Sequence, residues 1–367
     1  MMKRPGLGPS EVGRAGGAHA AGGRQAIALV TWLALVLAAA LGGAGGLGLA
    51  QVITSAPSAP RIVRLDPRLD RLVPPGATLE RIVEGLSWAE GPVWDRRRGE
   101  LLFSDVPENA VHRWRPGQGV SLFLRPSGYT GAAPFPGKEP GANGLAFDAA
   151  GRLVLCEHGD RRIARLEPDG RKTPLADRYQ GRRLNSPNDL VFHSNGDLYF
   201  TDPPFGLPGT FDDPAKELPF SGVFRLSASG ELTLLTRELR APNGIALSPS
   251  ESTLYVSNAE RARAVWMAYP MRQDGTLGPG RVLFDATGLA GSRPGAPDGL
   301  KVDREGNLFG AGPGGVYVLG PDGTHLGSIE IGSATGNVAW GEDGRTLYIT
   351  AGSAMYRVRL TTRGVGF

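Results

Sequence analysis

Six side chains with a carboxylate or amide oxygen lie in six similar turn motifs along the chain. These six residues, called anchors below, are Glu90, Asn143, Asn188, Asn243, Asp298 and Asn337. Four of them supply two carboxylates and two amides, a donor set that suits a hard divalent cation and that Ca²⁺ tolerates best. We therefore predict one bound ion, Ca²⁺ before Zn²⁺, Mn²⁺ or Mg²⁺. Its predicted ligands are Glu90, Asn188, Asn243 and Asp298.

A simpler interpretation is that an Asn or Asp before Gly only marks a turn with left-handed backbone. Two of the motifs fit that interpretation poorly, since Asn188 precedes Asp189 rather than Gly, and Glu90 precedes Gly91-Pro92. The equivalent position of the four ligands in their repeats also favours a shared site over isolated turns.

The spacing of the anchors indicates the fold that must position them. They lie 53, 45, 55, 55 and 39 residues apart, and an apolar run, a polar turn and further strand-like runs follow each one. A period in this range that contains only strand patterns is typical of a β-propeller with one repeat per blade. Because equivalent positions of all blades converge on the central axis, distant residues can meet around one ion. The sequence therefore predicts an all-β fold, a six-bladed β-propeller over residues 77–367.

The ends of the chain are expected to close the ring together. The last repeat lacks a fourth strand-like run, and residues 78–83, before the first anchor, can fill that gap. A closing blade made from both termini leaves no free sheet edge to pair with another molecule.

Residues 1–50 are predicted to be a signal peptide or a signal anchor. A basic segment precedes an uncharged stretch over residues 26–49, and Gly48-Leu49-Ala50 is a plausible cleavage site. The alternative is an uncleaved anchor, since such a stretch is just long enough to span a bilayer. Either way we expect an exported protein, periplasmic or extracellular, with residues 51–76 as an N-terminal extension.

The charge of the chain gives no support for a nucleic-acid partner. The sequence pI is about 9.3. Residues 1–50, however, hold four basic residues against one acidic residue, so the net charge falls from +4 to +1 without them. Membrane contact is expected only through an uncleaved leader, and nothing in the sequence predicts the oligomeric state. The single cysteine, Cys156, lies in an apolar run and is interpreted as a core residue.

Several other polar residues are candidates for the same pocket. His158 follows a predicted strand and is a candidate catalytic or substrate-binding residue, although a structural role is the alternative. Substrate binding is also predicted for Asn143, Asn188 and Asn337, while Asp105, Asp202 and Tyr129 are weaker candidates. Two long insertions, residues 127–141 and 203–220, are expected to shape the entrance or to be surface padding.

The motifs resemble the senescence marker protein/gluconolactonase (regucalcin-like) family, and specifically its bacterial gluconolactonase-like branch. The resemblance covers about residues 76–361, and its matching stretches are residues 88–94, 102–105, 156–159, 183–189, 199–204, 242–244 and 297–299. It implies a calcium-dependent six-bladed propeller with the four metal ligands named above. It also implies that Asp298 is the candidate general base.

A mechanism follows from such a site if the substrate is a sugar lactone such as gluconolactone. The metal would polarise the carbonyl, and either Asp298 or a metal-bound water would activate the attack. Two alternatives stay open at this stage. One is phosphotriester hydrolysis at the same kind of ion, and the other is a non-catalytic binding module that calcium stabilises.

Overall fold

A computed structural model describes residues 59–367 of the chain. The predicted leader, its cleavage site and residues 51–58 of the extension lie outside the described residues. Within residues 59–367, no helix is both long enough and apolar enough to cross a membrane. The first elements in this part of the chain are β1 (Arg61–Arg64), α1 (Leu69–Leu72) and β2 (Leu79–Val83).

Six antiparallel sheets follow one another along the chain, and each starts with the strand nearest the axis. Blade one contains β3 (Ala89–Asp95), β4 (Glu100–Asp105), β5 (Ala110–Arg115) and β6 (Gly119–Leu124). Blade two contains β7 (Ala142–Phe147), β8 (Leu153–Glu157), β9 (Arg162–Leu166) and β10 (Lys172–Ala176). The small hairpin β11 (Arg178–Tyr179) and β12 (Arg182–Arg183) leads into blade three. Blade three contains β13 (Leu190–Phe192), β14 (Leu198–Asp202), β15 (Gly222–Leu226) and β16 (Leu232–Thr236).

The second half of the ring repeats this order. Blade four contains β17 (Pro242–Leu247), β18 (Thr253–Asn258), β19 (Val265–Pro270) and β20 (Arg281–Asp285). Blade five contains β21 (Leu300–Val302), β22 (Leu308–Gly312), β23 (Gly315–Leu319) and β24 (His325–Glu330). Blade six contains β25 (Val338–Gly341), β26 (Thr346–Ala351) and β27 (Ala354–Arg359). Short 3₁₀ turns lie in the loops at Thr210–Asp212, Arg261–Arg263 and Thr287–Leu289.

The prediction of an all-β, six-bladed propeller is confirmed. The inner strands β3, β7, β13, β17, β21 and β25 pack each against the next, and β25 packs against β3 to close the ring. Strand β2 pairs antiparallel with β27, with Leu79 opposite Val358, and supplies the outer strand of blade six. The ring is thus closed by strands from both ends of the propeller, which leaves blade six with its full four strands.

Residues before the propeller repeats also join a sheet. Strand β1 pairs with β24, with Arg61 opposite Glu330, so blade five has a fifth, outermost strand. Leu69 and Leu72 of α1 are buried in the core cluster shared by blades five and six. Part of the segment that the sequence assigns to an extension therefore packs on the propeller.

The core lies between neighbouring blades rather than inside any one sheet. Between blades one and six, for example, the ring of Trp94 stacks on that of Tyr348 with centroids 5.6 Å apart, and Met355 packs beside them. Cys156 is fully buried in the cluster between blades two and three, as its apolar surroundings predict. Packing between blades is what holds each inner strand at a fixed distance from the axis.

Candidate metal and substrate site

All six anchors lie at the N-terminal ends of the inner strands, which we call the anchor end of the channel. Glu90, Asn143 and Asn243 are the second residues of β3, β7 and β17. In each of these three blades the pairing of the two inner strands shifts register at this point, after Glu90, Ala142 and Pro242 respectively. A bulge of this kind breaks the regular alternation and re-aims a side chain. No anchor has left-handed backbone, so the simple turn interpretation of these motifs does not apply.

Glycines beside the anchors let the blades approach closely around the axis. A Cβ at Gly144 would lie 2.6 Å from the backbone oxygen of Asn188, and one at Gly91 or Gly244 would collide with the backbone of the next blade's anchor. A Cβ at Gly299 would likewise collide with the side chain of Asn337. Any larger residue would force neighbouring blades apart, so these glycines set the spacing of the anchors.

Hydroxyl side chains on the second strand of three blades brace the anchor backbone. Ser104 donates to the backbone oxygen of Asn143 over 2.8 Å, and Thr201 donates to that of Asn243 over 2.5 Å, so these two bonds join adjacent blades. Within blade six, the backbone N–H of Asn337 donates to the hydroxyl of Thr350 over 2.7 Å. The anchor side chains are thereby free to point away from the backbone ladder.

Two carboxylates share the anchor end and are strongly perturbed. Burial, reinforced by the charge of Asp189, raises the pKa of Glu90 to about 8, although the N–H of Gly91 donates to its Oε2 over 3.2 Å. Burial and then the charge of Glu90 hold the pKa of Asp298 well above its usual value. Glu90 is only 2% exposed, whereas Asp298 keeps partial access to solvent. Two buried like charges need a compensating cation to remain ionised together.

Neutral amides complete the set. The side-chain oxygens of Asn143 and Asn243 are buried and have no hydrogen-bond partner among residues 59–367. Asn188 is 3% exposed, and its side chain makes no hydrogen bond within the described residues. Among residues 59–367, no three His, Cys, Asp or Glu side chains are grouped to hold a metal. A cation at the anchor end would therefore depend on the amide oxygens together with Glu90 and Asp298, which is the mixed donor set that suits Ca²⁺.

A second polar layer lies along the axis next to the anchors. The carboxylate of Asp189, in blade three, lies 3.5 Å from Nδ2 of Asn337 in blade six and 3.8 Å from Nζ of Lys301 in blade five. Side chains from opposite blades can meet only near the axis, so this group crosses the channel. Both polar atoms of the Asn337 amide have partners, since its Nδ2 faces Asp189 and its Oδ1 accepts from the N–H of Val338 over 2.8 Å. Its role in substrate binding stays a prediction.

His158 is fully buried, and in the part of the chain that the structure describes neither of its ring nitrogens has a hydrogen-bond partner. Its backbone N–H donates to the oxygen of Gly141 over 3.2 Å, two residues before the anchor Asn143. The carboxylate of Glu139 lies 3.2 Å from its Nδ1. Both long insertions reach this histidine, since a Cβ at Gly206 would lie 2.5 Å from that of His158. The structure thus places His158 beside the anchor end of blade two.

The three weaker candidates have structural surroundings. Asp105 accepts the backbone N–H groups of Ser87 and Trp88, each over 3.0 Å, and so fixes the segment before Glu90. Asp202 accepts the N–H of Asn185 over 2.8 Å, and burial raises its pKa to about 7. The ring of Tyr129 packs against Phe135, with centroids 5.0 Å apart, in the wall of the first insertion.

Two residues near the site carry no predicted role from the sequence. Asp189 stands where Gly follows the anchor in four other motifs, and that break in the pattern was its available signal. Glu139 lies in an insertion without a repeat partner, so no periodic signal could identify it. The negative charges of Asp189 and Glu139 raise the pKa of Asp298, although burial and the charge of Glu90 raise it more.

Two cavities of about 830 Å³ and 620 Å³ open at the opposite, C-terminal ends of the inner strands, which we call the far end. Their walls include Val191, Phe192, Trp340 and Val365 near the C-terminus, and Lys301 reaches both. None of the unpaired buried polar atoms in residues 59–367 lines either cavity. The unpaired buried polar atoms of this part of the chain therefore lie outside the two cavities of the far end.

Comparison with known proteins bears on the family of the chain. Residues 88–353 match the model of the SMP-30/Gluconolactonase/LRE-like region. The chain is 42% identical to the gluconolactonase of Zymomonas mobilis subsp. mobilis over 318 residues, which cover 83% of this chain and 87% of that protein. It is 28% identical to a 6-deoxy-6-sulfogluconolactonase of Pseudomonas putida, over 71% of this chain and 82% of that one.

A solved structure agrees with these sequences. The gluconolactonase from Xanthomonas campestris superposes with a TM-score of 0.71 at 33% identity, covering 84% of this chain and 99% of that one. The matched region runs from just before Glu90 to the last strands of blade six, so it includes all six anchors. On its sequence and its fold, the chain belongs to the SMP-30/gluconolactonase/LRE-like family.

Proposed function

We propose that this protein hydrolyses sugar lactones at the anchor end with the help of one divalent cation, Ca²⁺ being the first choice. The observation that carries the proposal is the pair of buried carboxylates, Glu90 and Asp298, beside unpaired amide oxygens. Unpaired buried polar atoms are costly, and a cation would satisfy them. That the chain is a lactone hydrolase rests on its family and on its 42% identity to a gluconolactonase.

Glu90, Asn188, Asn243 and Asp298 would hold the ion. A bound divalent cation would polarise the lactone carbonyl and stabilise the negative charge that develops on its oxygen. Oδ1 of Asp298 accepts the N–H of Gly299 over 3.0 Å, which fixes the carboxylate and leaves its Oδ2 available. We assign to Oδ2 the acceptance of a proton from the attacking water.

The amides are suited to recognise the hydroxyl groups of a sugar ring. The unpaired oxygen of Asn143 is an acceptor for a substrate hydroxyl, and the buried Asn188 has one amide group that can serve both ion and substrate. A site that hydrogen-bonds hydroxyls discriminates against analogues without them, because its own polar groups would then be left unpaired. Polyhydroxylated lactones are therefore preferred over aliphatic ones.

The proposal is tested with a panel of aldonolactones, aliphatic lactones and phosphotriesters, each with and without excess chelator. Hydrolysis of the aldonolactones that disappears with chelator and returns with Ca²⁺ would support it. Full activity after dialysis against chelator would exclude the cation from the reaction. Turnover of phosphotriesters alone would assign the site to that chemistry. Tight binding without turnover of any compound would indicate a non-catalytic module.

Export is a separate proposal that rests on residues 1–50. The basic segment and the uncharged stretch after it support a periplasmic or extracellular location. Mass spectrometry of the protein from its native envelope tests it, since a mature N-terminus near Gln51 indicates cleavage. An intact N-terminus in the membrane fraction would indicate a signal anchor, and an intact N-terminus in the cytoplasm would contradict export.

A further inference from the structure

We propose that Glu139 is a positioning residue that fixes the tautomer and orientation of His158 at the edge of the lactone site. This inference rests on the proposed function for its kinetic consequence only. Glu139 belongs to the first insertion, residues 127–141, and touches none of the predicted metal ligands in the hydrogen bonds and ion pairs of the described residues.

The two side chains of the His158–Glu139 pair differ in burial. The side chain of His158 is 0% exposed, and that of Glu139 is 35% exposed. Oε2 of Glu139 is 3.2 Å from Nδ1 of His158 but is not aligned as a hydrogen bond. A small rotation of the exposed glutamate would align it, whereas the enclosed ring has no room to search for another partner. Among the side chains of residues 59–367, Glu139 is the acidic group placed within ion-pair distance of this ring.

Backbone hydrogen bonds hold the two residues in register. The N–H of His158 donates to the oxygen of Gly141, and the N–H of Gly159 donates to that of Pro140 over 3.3 Å. The segment directly after Glu139 is thus tied to the segment that carries the histidine. On its other side His158 packs against Gly206 of the second insertion, which leaves no space for a side chain.

The pair is close enough to the anchor end to act there. Besides burial and the nearer carboxylates, the charge of Glu139 raises the pKa of both Glu90 and Asp298. Since Glu157 pairs with Ala142 in blade two, His158 lies opposite Gly141, two residues before the anchor Asn143. The carboxylate of Glu139 therefore belongs to the electrostatic surroundings of the proposed lactone site.

The chemistry of the pair is that of a carboxylate behind an imidazole. When a carboxylate accepts Nδ1–H, the neutral ring carries its free electron pair on Nε2. Nε2 of His158 is buried and has no hydrogen-bond partner among residues 59–367, so with Nδ1 protonated it would be an acceptor for a water or a substrate hydroxyl. Glu139 would thus decide whether the ring accepts or donates at the site, and it would do so from a loop outside the repeated pattern of the blades.

A matched control exists elsewhere in the molecule. His193 and Glu251 form a similar pair, with 3.5 Å between Nδ1 and Oε2, and both residues line the larger far-end cavity. We compare Glu139→Leu with Glu251→Leu, since leucine removes the acceptor at similar volume on a partly exposed side chain. The chain has five histidines, so the ring ¹⁵N signals can be assigned with His158→Gln.

In the wild type, ring ¹⁵N shifts should show His158 protonated at Nδ1. In Glu139→Leu the proton should move to Nε2, and kcat for a hydrolysed lactone should fall by roughly 10-fold or more, the range for partners of this kind, with KM changed less. Glu251→Leu should alter neither signal nor rate. A His158 signal unchanged by Glu139→Leu would overturn the inference. The NMR result does not depend on turnover, so a protein that hydrolysed no lactone would refute the proposed function and still test Glu139.

Discussion

The two ends of the channel are built from the same six strands but carry different chemistry. At the anchor end, two carboxylates have raised pKa values and the amide oxygens of Asn143 and Asn243 are unpaired. At the far end lie the two cavities, and none of the unpaired buried polar atoms of residues 59–367 lines them. His193 lies beside Glu251 and Trp340 donates to the oxygen of Val302 over 3.1 Å. Polar groups without partners, rather than cavity volume, indicate where a ligand belongs.

The largest expected effect of a single change is at Asp298. Asp298→Asn keeps one coordinating oxygen and nearly the same volume, but it cannot accept a proton from water. Lactone turnover should fall by roughly 10²-fold or more, the usual range for loss of a general base. Steady-state kinetics at saturating Ca²⁺ measure this, because extra cation should not restore the rate.

Glu90→Gln is the matched control for that variant. It removes the same charge from the same end, yet Glu90 is predicted to act only as a ligand. Added cation should therefore restore most of its activity. Equal rescue of both variants would show that Asp298 is only a ligand and that another group activates the water.

The next effect concerns stability in the absence of the cation. Burial raises the pKa of Glu90 from 4.5 to about 8, so the folded state holds this proton more tightly than the unfolded state does. The unfolding free energy of the metal-free protein should therefore decline as the pH rises from about 4.5 to about 8. Thermal melts in chelator across this range would measure the decline, and a flat profile would contradict it.

Added Ca²⁺ should reverse that decline at the anchor end. A ligand that binds only the folded state stabilises it by about 2.7 kcal/mol at a concentration of 100 Kd. The gain in melting temperature should be larger at pH 8 than at pH 5, because the carboxylates must be ionised to bind. Glu90→Gln should show a smaller gain at both pH values.

A smaller effect, on stability and on Ca²⁺ affinity, is expected from a change at Lys301 near the axis. Its ammonium lies 3.8 Å from the carboxylate of Asp189, which is 2% exposed. Lys301→Met should lower stability by about 1–3 kcal/mol, since it leaves a buried charge less compensated. The same change should tighten Ca²⁺ binding, because the negative charge of Asp189 is then less neutralised. Calorimetric titration checks this, and an unchanged affinity would show that the two ends are electrostatically separate.

The smallest effect is expected at the far end itself. Val365 is 40% exposed and lines both cavities. Val365→Ser should leave kcat and KM for lactones unchanged, since no step of the proposed reaction takes place there. A rise in KM for this variant alone would place substrate at the far end and reverse the comparison.

The periodic part of the molecule could be predicted from the sequence. Six anchor motifs predicted six blades, and the missing last strand predicted that residues 78–83 would close the ring, as β2 does. Periodicity reveals positions that every blade repeats, which is why all the anchors were found.

The unrepeated parts could not be predicted in the same way. Strand β1 is a fifth strand of blade five, whereas the repeat predicts four strands in each blade. Glu139 reaches His158 from an insertion whose path depends on tertiary packing. Asp189 meets Asn337 only because blades three and six face each other across the axis. Contacts of this kind depend on the closed ring as a whole.

The glycine contacts between blades bear on how such a site could acquire new activities during evolution. Gly144 and Gly244 press against backbone oxygen atoms of the neighbouring anchors Asn188 and Asp298. Those anchor side chains could be exchanged without disturbing the spacing of the ring. Gly336, by contrast, presses against the carboxylate of Glu90, so an exchange there would alter the contact between blades six and one. Donor groups can thus diversify at some positions of the ring while others stay fixed by the shape of their neighbours.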